Sequence, residues 1–288
     1  MNSLPSVLIL ISGVLSLATF APAQKKKVPE IRVPQLVRTT MRHELRRLPY
    51  GGTLTLVGAP DGSISIEGWN RSEVEISAEV QLRADSEAEL DQLAALNGFI
   101  IDDDANHVRV LSTGTHDKDL MRRVAKKFPK NLLGLPWKID YRLRVPMSTD
   151  LDINAGRGPI NITGIDGNIH VTAAFSETNL KLSSGTLLAT IGAGKLNLNV
   201  PARSWRGVGA EIRMATGEIS VELPAAFDAD LNAEILRSGT IKDLYGGLQA
   251  REKPGITAQL MKARSGAGGA FLQFTVGDGT IYIKKQTP

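Results

Sequence analysis

The feature that most constrains this chain is a strand pattern that returns about every ten residues and is marked by glycine. From residue 156 onward, apolar and polar side chains alternate in short runs such as Ile160-Asn161-Ile162-Thr163 and Leu196-Asn197-Leu198-Asn199-Val200. Alternation with a period of two buries one set of side chains and leaves the other in water, so each run predicts a half-buried strand. A glycine precedes many runs, as in Gly217-Glu218-Ile219 and Gly279-Thr280-Ile281, and indicates a repeated corner.

The spacing of these runs narrows the architecture to two possibilities. The predicted strand starts are Ile160, Ile169, Leu180, Leu187, Leu196, Ala210, Ile219, Leu231, Ile241, Leu248, Ala258, Leu272 and Ile281. This spacing fits either a sandwich of hairpins or a solenoid in which two or three strands form each coil. The units are nearly identical in form, which favours the solenoid. So do the short polar outward positions, which can stack as like residues: Asn161, Thr163, Asn197, Asn199 and Ser220.

The first half of the chain is less regular. Strands are predicted over residues 52–57, 62–69, 74–82 and 137–145, and a hairpin over residues 99–111. The segment Ser86-Glu87-Ala88-Glu89 is a capping box and predicts the start of a short helix. The sequence therefore predicts an all-β protein, a single-stranded β-helix or solenoid of short glycine-marked strands. It would form one domain over residues 48–285, with one or two short helices in its N-terminal half.

The N-terminus has the layout of a secretory signal peptide. Residues 4–23 are almost wholly apolar and end in Ala21-Pro22-Ala23-Gln24, with small residues at the two positions that a signal peptidase reads. This predicts a signal peptide over residues 1–23, cleaved after Ala23, and a periplasmic, cell-surface or secreted protein. No basic residue precedes the apolar run, whereas Lys25, Lys26 and Lys27 follow it. An uncleaved anchor, or a misplaced start codon that hides a basic region, therefore stays open.

Basic residues are concentrated in two stretches. Residues 24–50 hold eight Lys and Arg against two Glu, and residues 117–130 hold six against two Asp, which gives net charges of +6 and +4. The whole chain carries only +4, so the remainder is acidic. We interpret residues 24–47 as a basic linker and residues 113–136 as a basic insertion. Nucleic acid is not expected as a partner, because neither stretch has the aromatic residues or module that such binding needs.

The basic insertion contains the candidate contact residues. A helix predicted over residues 117–128 would place apolar side chains along one side. Beside that stripe it would carry Lys118, Arg122, Arg123, Lys126 and Lys127. Such a helix fits two roles: a cap over the open end of a solenoid, or a contact with an anionic membrane surface.

Several segments follow one another in a characteristic order. Asp61-Gly62-Ser63-Ile64-Ser65-Ile66-Glu67-Gly68-Trp69 is followed by Val74-Glu75-Ile76 and then by Tyr141-Arg142-Leu143-Arg144-Val145-Pro146. Serial Gly-x-Ile-x-Ile/Val units then end in Gly277-Asp278-Gly279-Thr280-Ile281-Tyr282-Ile283. Together they resemble the bacterial putative-adhesin family of β-strand-repeat domains of unknown function, over residues 48–285. The resemblance implies a β-helix-like domain that is exported or faces outward, with no catalytic residue to carry over. Residues 113–136 depart from the family pattern.

The residues give little sign of chemistry. Cysteine is absent, which excludes disulfides, thiolate metal sites and cysteine nucleophiles. The densest carboxylate cluster, Asp102-Asp103-Asp104, lacks the glycine and downstream Glu of a calcium loop and is interpreted as a polar hairpin turn. Gly192-Ala193-Gly194-Lys195 is followed by Leu196, where a phosphate loop needs Ser or Thr. We predict no catalytic, cofactor-binding or metal-ligating residues.

Three functions follow from these observations. The first is an exported, non-enzymatic β-repeat protein with an adhesive or structural role, whose partner is a macromolecule of the cell envelope or surface. The second is a carbohydrate-active enzyme on a parallel β-helix, with paired acids among residues such as Asp150, Asp152 and Glu177. The third is a membrane-associated envelope sensor that uses its basic segments. We favour the first, with no enzyme activity and no cofactor.

Overall fold

Sixteen strands dominate the computed structural model, which describes residues 36–124, 126 and 128–286. The first eight strands are β1 (Leu36–Arg47), β2 (Thr53–Val57), β3 (Ile64–Trp69), β4 (Glu73–Ala84), β5 (Gly98–Asp103), β6 (His107–Thr113), β7 (Trp137–Pro146) and β8 (Asp150–Arg157). The others are β9 (Ile160–Thr163), β10 (Asn168–Lys181), β11 (Ser184–Asn199), β12 (Arg206–Leu223), β13 (Ala229–Leu244), β14 (Gln249–Ala250), β15 (Leu260–Ser265) and β16 (Ala270–Lys285). Two short helices are described, α1 (Glu87–Ala94) and α2 (Lys118–Val124), with a 3-10 turn at Lys130–Leu132. The predicted all-β class with short helices in the N-terminal half is confirmed, and the predicted signal peptide lies outside the described residues.

All the strands belong to one large open sheet, and its centre is parallel. The order β10-β11-β12-β16-β13 consists of parallel neighbours, and β8 and β9 both pair with β10. From β8 through β10 to β11 the strands are offset by 18 residues, because Ile169 lies beside Leu151 and beside Leu187, and the next offset, from Leu187 to Ala210, is 23 residues. This register aligns buried apolar side chains into a row that runs through Leu54, Leu151, Ile169, Leu187, Ala210, Leu272 and Leu231.

Each long strand of this centre has two halves. In β10 the buried positions are Ile169, Val171 and Ala173, then two exposed residues intervene, and the alternation resumes at Ser176. A change of phase within one strand means that the backbone bends there, so that both halves direct apolar residues inward. The ten-residue spacing predicted from sequence is thus the length of a half-strand, and predicted starts such as Leu180 and Leu196 lie within strands.

In β10, Ser176 stands at the position of the bend beside Gly194 of β11, whereas in the neighbouring strands glycines occupy the bends. Those with a positive φ are Gly62, Gly158, Gly194, Gly217, Gly279 and Gly239. A Cβ on Gly217 would overlap the carbonyl oxygen of Gly194, and a Cβ on Gly279 would overlap that of Gly217. The repeated corner predicted from glycine is confirmed at these positions, where the backbone is left-handed and a neighbouring strand approaches closely.

The C-terminal part departs from the predicted serial order. The chain passes from β12 to β13 without pairing them, and β16 then inserts between the two, parallel to both. Strands do not begin at Leu248 or Ala258 as predicted, because β14 has two residues and β15 starts at Leu260. The intervening β15 runs antiparallel to β13, so this segment reverses the chain instead of adding another parallel repeat.

At the N-terminal end the sheet divides into two arms. One arm continues from β3 through β7 and β4 to β1, and the other continues from β2 through β6 to β5. The pairs β1–β4, β4–β7 and β5–β6 are antiparallel, and the last is the predicted hairpin. The predicted helix start is confirmed, because the Ser86 side chain accepts a hydrogen bond from Glu89 N at 3.3 Å. Leu90 and Leu93 of α1 are buried.

Two basic segments differ from their predicted form. The last twelve residues of the predicted linker, 36–47, are strand β1, whose charged side chains pair with α1 and with each other. The predicted second helix is shorter than residues 117–128, since α2 ends at Val124 and buries none of its side chains. The insertion connects β6 of one arm to β7 of the other, and its Leu132 reaches the core. Among the described residues, no helix has the length and apolar character needed to cross a bilayer.

Candidate functional site

A ladder of three asparagines lies on the outer side of the parallel strands. Asn161, Asn179 and Asn197 occupy neighbouring register positions on β9, β10 and β11. The Nδ2 of Asn179 donates to Asn161 Oδ1 at 3.1 Å, and the Nδ2 of Asn197 donates to Asn179 Oδ1 at 2.8 Å. Parallel pairing in register places identical side chains at the strand spacing of about 4.8 Å, which is the distance that such amide bonds require.

Charged side chains flank the asparagines on both sides. Lys195 Nζ lies 3.1 Å from Glu218 Oε1, and Asn199 Nδ2 donates to Glu222 Oε2 at 3.0 Å. Lys195, Asn199 and Glu222 line a shallow groove of about 410 Å³ together with Lys181 and Lys284. We call the groove and its ladder the amide face, comprising Asn161, Thr163, Asn179, Lys181, Lys195, Asn197, Asn199, Glu218, Ser220, Glu222, Tyr282 and Lys284.

Ser220 and Tyr282 continue the ladder. Ser220 is opposite Asn197 on one side and opposite Tyr282 on the other. The Ser220 hydroxyl is buried and has no hydrogen-bond partner among the described residues. The Tyr282 ring has cations near it, with Lys242 Nζ at 5.2 Å and Lys284 Nζ at 4.9 Å from the ring centre. Ser220 and Tyr282 therefore extend the outward row beyond the asparagines without adding another amide.

The outward row extends beyond the amide face toward the N-terminal end. From Asn161 it passes to Ser65 on β3, Arg142 on β7, Ser77 on β4 and His43 on β1. Near this part of the row, Asp140 accepts bonds from Ser63 N and Ser63 Oγ at 2.7 and 2.8 Å, and from Lys138 Nζ at 2.6 Å. Burial raises the pKa of the Asp140 carboxyl, but these bonds outweigh burial and hold it below its ordinary value. Asp140 is therefore a fixed negative charge beside the row.

The amide face is suited to ligands that both donate and accept hydrogen bonds. Each primary amide has two N–H donors and two acceptor lone pairs, and one bond of each ladder step uses one donor and one acceptor. Every asparagine therefore keeps free donor and acceptor capacity toward the solvent. The face repeats this capacity at the strand spacing, so it matches a ligand that repeats its own polar groups.

The candidate contact residues predicted in the insertion lie elsewhere. Lys118, Arg122 and Arg123 are exposed on α2, and Lys126 is exposed beyond its end. Arg122 pairs with Asp119 at 3.0 Å, while Lys127 lies outside the described residues. The apolar side chains Leu120, Met121 and Val124 are only half-buried. The structure places Lys118, Arg122 and Arg123 on one short helix between β6 and β7, which are not strands of the amide face.

Of the acids considered for an enzyme, Asp150 and Asp152 share the outward face of β8 and Glu177 lies on β10. Asp150 Oδ1 accepts from Asn168 N at 2.7 Å, and Asp152 Oδ1 lies 3.3 Å from His170 Nδ1. Glu177 follows the bend of β10, whereas His170 precedes it. The Asp102–Asp104 turn is held by Arg109, with 3.0 Å to Asp102 and to Asp104. In the described part of the chain, no three His, Asp or Glu side chains form a group able to hold a metal ion.

Sequence reasoning located part of the amide face without assigning it a role. Asn161, Asn197 and Ser220 were predicted to be outward and stacked, but Asn179 and the groove were not identified. The signal was present in the spacing, because asparagines recur at positions 161, 179 and 197, 18 residues apart. An 18-residue period shows which side chains are neighbours, whereas a ten-residue period does not.

Comparison with known proteins found similar solved structures. A putative cell adhesion protein from Clostridium sporogenes shares 14% identity with a TM-score of 0.47, over 86% of this chain and 100% of the other. A putative adhesin from Bacteroides fragilis shares 13% identity with a TM-score of 0.32, over 85% and 97%. A putative lipid binding protein from Parabacteroides distasonis shares 10% identity with a TM-score of 0.23, over 86% and 97%.

Other comparisons were negative. No family model matches the chain, and no curated protein matches it. At these identities and TM-scores the solved structures do not assign a role to any residue of the amide face. The chain is similar to bacterial proteins that are named putative adhesins, as its sequence indicated.

Proposed function

We propose that this chain is an exported, non-enzymatic β-solenoid protein whose amide face binds a hydroxyl-rich linear polymer, such as a polysaccharide of a cell envelope or surface. The observation that supports this most strongly is the ladder of Asn161, Asn179 and Asn197, bonded amide to amide. A sugar hydroxyl both donates and accepts, as the free half of each amide does. Tyr282 offers a flat ring at the end of the ladder, against which an apolar sugar face can pack.

The solenoid part of the proposal rests on the register. Parallel neighbours repeat at 18 residues from β8 through β10 to β11, and β10 and β11 each contain one bend between two half-strands that direct apolar side chains inward. Such repeats bury apolar side chains only by stacking, and they leave a regular outer surface. A long regular surface is better suited to holding a long partner than to enclosing a small one.

Binding without turnover is favoured by the state of the acids. A glycosidase needs one carboxyl with a raised pKa to protonate the leaving oxygen. Among the described residues, every Asp or Glu with a displaced pKa is displaced downward: Glu44, Asp104, Asp117, Asp140, Asp230 and Asp278. On the amide face itself, Glu218 and Glu222 are bonded to Lys195 and Asn199. Both carboxyls therefore already have partners within the face.

Affinity electrophoresis of the full chain tests the proposal. The gels would contain dextran, xyloglucan, mixed-linkage β-glucan or solubilised peptidoglycan, and we expect at least one of them to retard the protein. The double variant Asn179→Ala/Asn197→Ala should weaken that binding about ten- to thirtyfold, because two amide contacts are lost at about 1 kcal/mol each. The same gels stained for reducing ends should show no new ends.

A matched control removes two amides from the other outward surface. The variant Asn154→Ala/Asn168→Ala deletes exposed asparagines on the first halves of the strands and should bind like the unmodified chain. Retardation by none of the four polymers would contradict the proposal. So would equal losses in the two double variants, or the release of sugar by the unmodified protein.

A further inference from the structure

The first strand of the described chain has a free edge. Strand β1 ends the sheet order and pairs with β4 alone among the described strands. Half of its backbone N–H and C=O groups therefore point away from the sheet along twelve residues. A long unpaired edge is a template for another strand, and proteins usually shorten it, charge it or cover it.

In β1 the charged side chains face the buried side of the sheet and the apolar ones face the solvent, which reverses the usual arrangement. Arg38 and Arg42 lie on the side of the sheet that carries the buried residues of β4, since they face Leu82 and Ala78. Arg38 bonds to Glu87 at 2.6 Å and Asp91 at 2.7 Å, and Arg42 bonds to the Phe99 carbonyl at 3.1 Å. The charges of β1 are thus held against α1 and β5, on its inner side.

The apolar side chains of β1 point outward. Val37, Met41 and Leu45 are 51%, 69% and 49% exposed, and they alternate along one face of the strand. They lie on the same side of the sheet as the row that leads to the amide face. An exposed apolar stripe beside a free backbone edge combines the two features that favour association of strands.

We propose that a second copy of this chain covers the edge, with two β1 strands paired antiparallel about Met41. Alternate residues direct their backbone groups to the free edge, so antiparallel partners must differ by an even number of positions. Pairing about Met41 places Val37 opposite Leu45 and Arg38 opposite Glu44, each of them twice. It also places Met41 opposite its own copy on the two-fold axis, as an isologous interface requires.

Neighbouring registers are less favourable by charge. Pairing about Thr40 places Arg38 opposite Arg42, and pairing about Arg42 places Arg38 opposite Arg46, and like charges directly opposite destabilise a strand pair. Pairing about His43 matches Arg42 with Glu44 but leaves Val37 unpaired, because its partner position would be Pro49, beyond the end of β1. Pairing about Met41 uses nearly the full strand and matches both the apolar stripe and the charges.

The dimer would join two outer surfaces. Since His43 of β1 belongs to the row that reaches Asn161, pairing of the two edges would continue that row from one copy into the other. Two linked faces raise the apparent affinity for a long polymer through effective concentration. The dimer itself does not depend on the identity of any ligand.

Single cysteines test the register, because the chain has no cysteine of its own. In the full chain, Met41→Cys should form a disulfide-linked dimer on oxidation with copper phenanthroline, and reduction should reverse it. Residues that face each other on paired strands bring their Cβ atoms within about 5 Å, near the span of a disulfide. Thr39→Cys mixed with His43→Cys should form a disulfide between the two variants. Each variant alone should form little disulfide, because its cysteine does not face its own copy across the two-fold axis.

Sedimentation equilibrium tests the association without a cross-link. The unmodified chain should be mainly dimeric when its concentration reaches about 100 µM. Met41→Lys should raise the dissociation constant of the dimer at least tenfold, because it places two cations on the two-fold axis. Ile100→Lys changes an exposed apolar residue on β5 of the other arm and should leave the dimer intact. Circular dichroism checks that both variants keep their strand content.

The contradicting results are distinct from those for the proposed function. A monomeric unmodified chain, or preferential cross-linking by His43→Cys alone, would overturn the proposal. The Asn179→Ala/Asn197→Ala variant should still dimerise although its polymer binding is weakened. The Met41→Lys monomer should still bind polymer through its single face.

Discussion

The parallel centre of the sheet and its N-terminal end hold their strands together in different ways. In the centre, strands β10, β11, β12 and β16 pair in register over 13 or 14 positions, and inward apolar rows run through all of them. At the N-terminal end the strands are antiparallel, the sheet divides into two arms, and the side chains of β1 are held by ion pairs. The centre is specified by backbone geometry and the end by side-chain contacts.

The difference shows where each region tolerates change. A stacked bend constrains the backbone of its neighbours, so a side chain added there displaces two strands at once. The ion pairs of the end are exposed, and exposed ion pairs contribute little individually. The same repeat that makes the centre stable also makes its outer surface regular, whereas the end can vary its surface without disturbing the core.

The largest effect is expected at the glycine bends. Gly217→Ala should lower the free energy of unfolding by about 3 kcal/mol or more, since its φ is +138° and the new Cβ would overlap the Gly194 carbonyl oxygen. Urea denaturation followed by circular dichroism measures this. Gly98→Ala is the matched control in the N-terminal end, where nothing lies within 4 Å of the added Cβ. Its unfolding free energy should change by less than about 0.5 kcal/mol.

The effects of Gly217→Ala and Gly98→Ala together test whether the parallel centre is more rigid than the N-terminal end. If Gly98→Ala destabilised the protein as much as Gly217→Ala, the bends would not be the rigid part of the structure. If both were neutral, the centre would relax around an added methyl group, and the stacking of glycines would be a consequence of the fold instead of a requirement.

The strands and the corners of the centre were predictable because they follow local rules. Period-two alternation identified the inward residues of β9 and β11, and glycine before a strand identified bends such as Gly158 and Gly217. The Ser86 cap and the hairpin of β5 and β6 were predictable for the same reason. Each of these depends on residues that are close in sequence.

The pairing of strands that are distant in sequence was not predictable. Nothing near Leu272 indicates that β16 inserts between β12 and β13, because parallel neighbours share a side-chain pattern whatever their order. Strand β1 was assigned to a linker because its four arginines, which include Arg38, Arg42 and Arg46, obscured the outward face that carries Val37, Met41 and Leu45. The amide face required both the register and the 18-residue offset, which become evident only when strands are aligned.

A smaller change in the free energy of unfolding is expected when the carboxyl of Asp140, at the N-terminal end, becomes protonated in acid. The Asp140 pKa is lower in the folded protein than in the unfolded chain, so its contribution is present above pH 4 and is lost as the pH falls below that value. Asp140→Asn should cost about 1 kcal/mol at pH 7, because Lys138 loses its partner, and should flatten the fall in stability between about pH 4 and pH 2.

Denaturation curves from pH 7 to pH 2 measure this difference. Asp119→Asn changes an exposed carboxylate whose ion pair is with Arg122 and should leave the curve nearly unchanged at pH 7. An Asp140→Asn protein that lost stability with acid as steeply as the unmodified chain would show that Asp140 does not couple this arm to pH.

The smallest effect is expected at α2, where a cap and a membrane contact remain competing roles. Leu132 is buried while Leu120, Met121 and Val124 are half-buried, so most of the apolar surface of the insertion is used within the protein and little is left for a bilayer. We therefore expect weak co-sedimentation with vesicles of 30% phosphatidylserine, which 0.15 M salt abolishes. The variant Arg122→Glu/Arg123→Glu should not co-sediment. Its unfolding free energy should lie within about 0.5 kcal/mol of that of the unmodified chain. Arg71→Glu/Arg83→Glu, which reverses two exposed charges away from α2, is the control and should co-sediment as before. Equal binding by both double variants would remove the membrane role and leave α2 as part of the cap between the two arms.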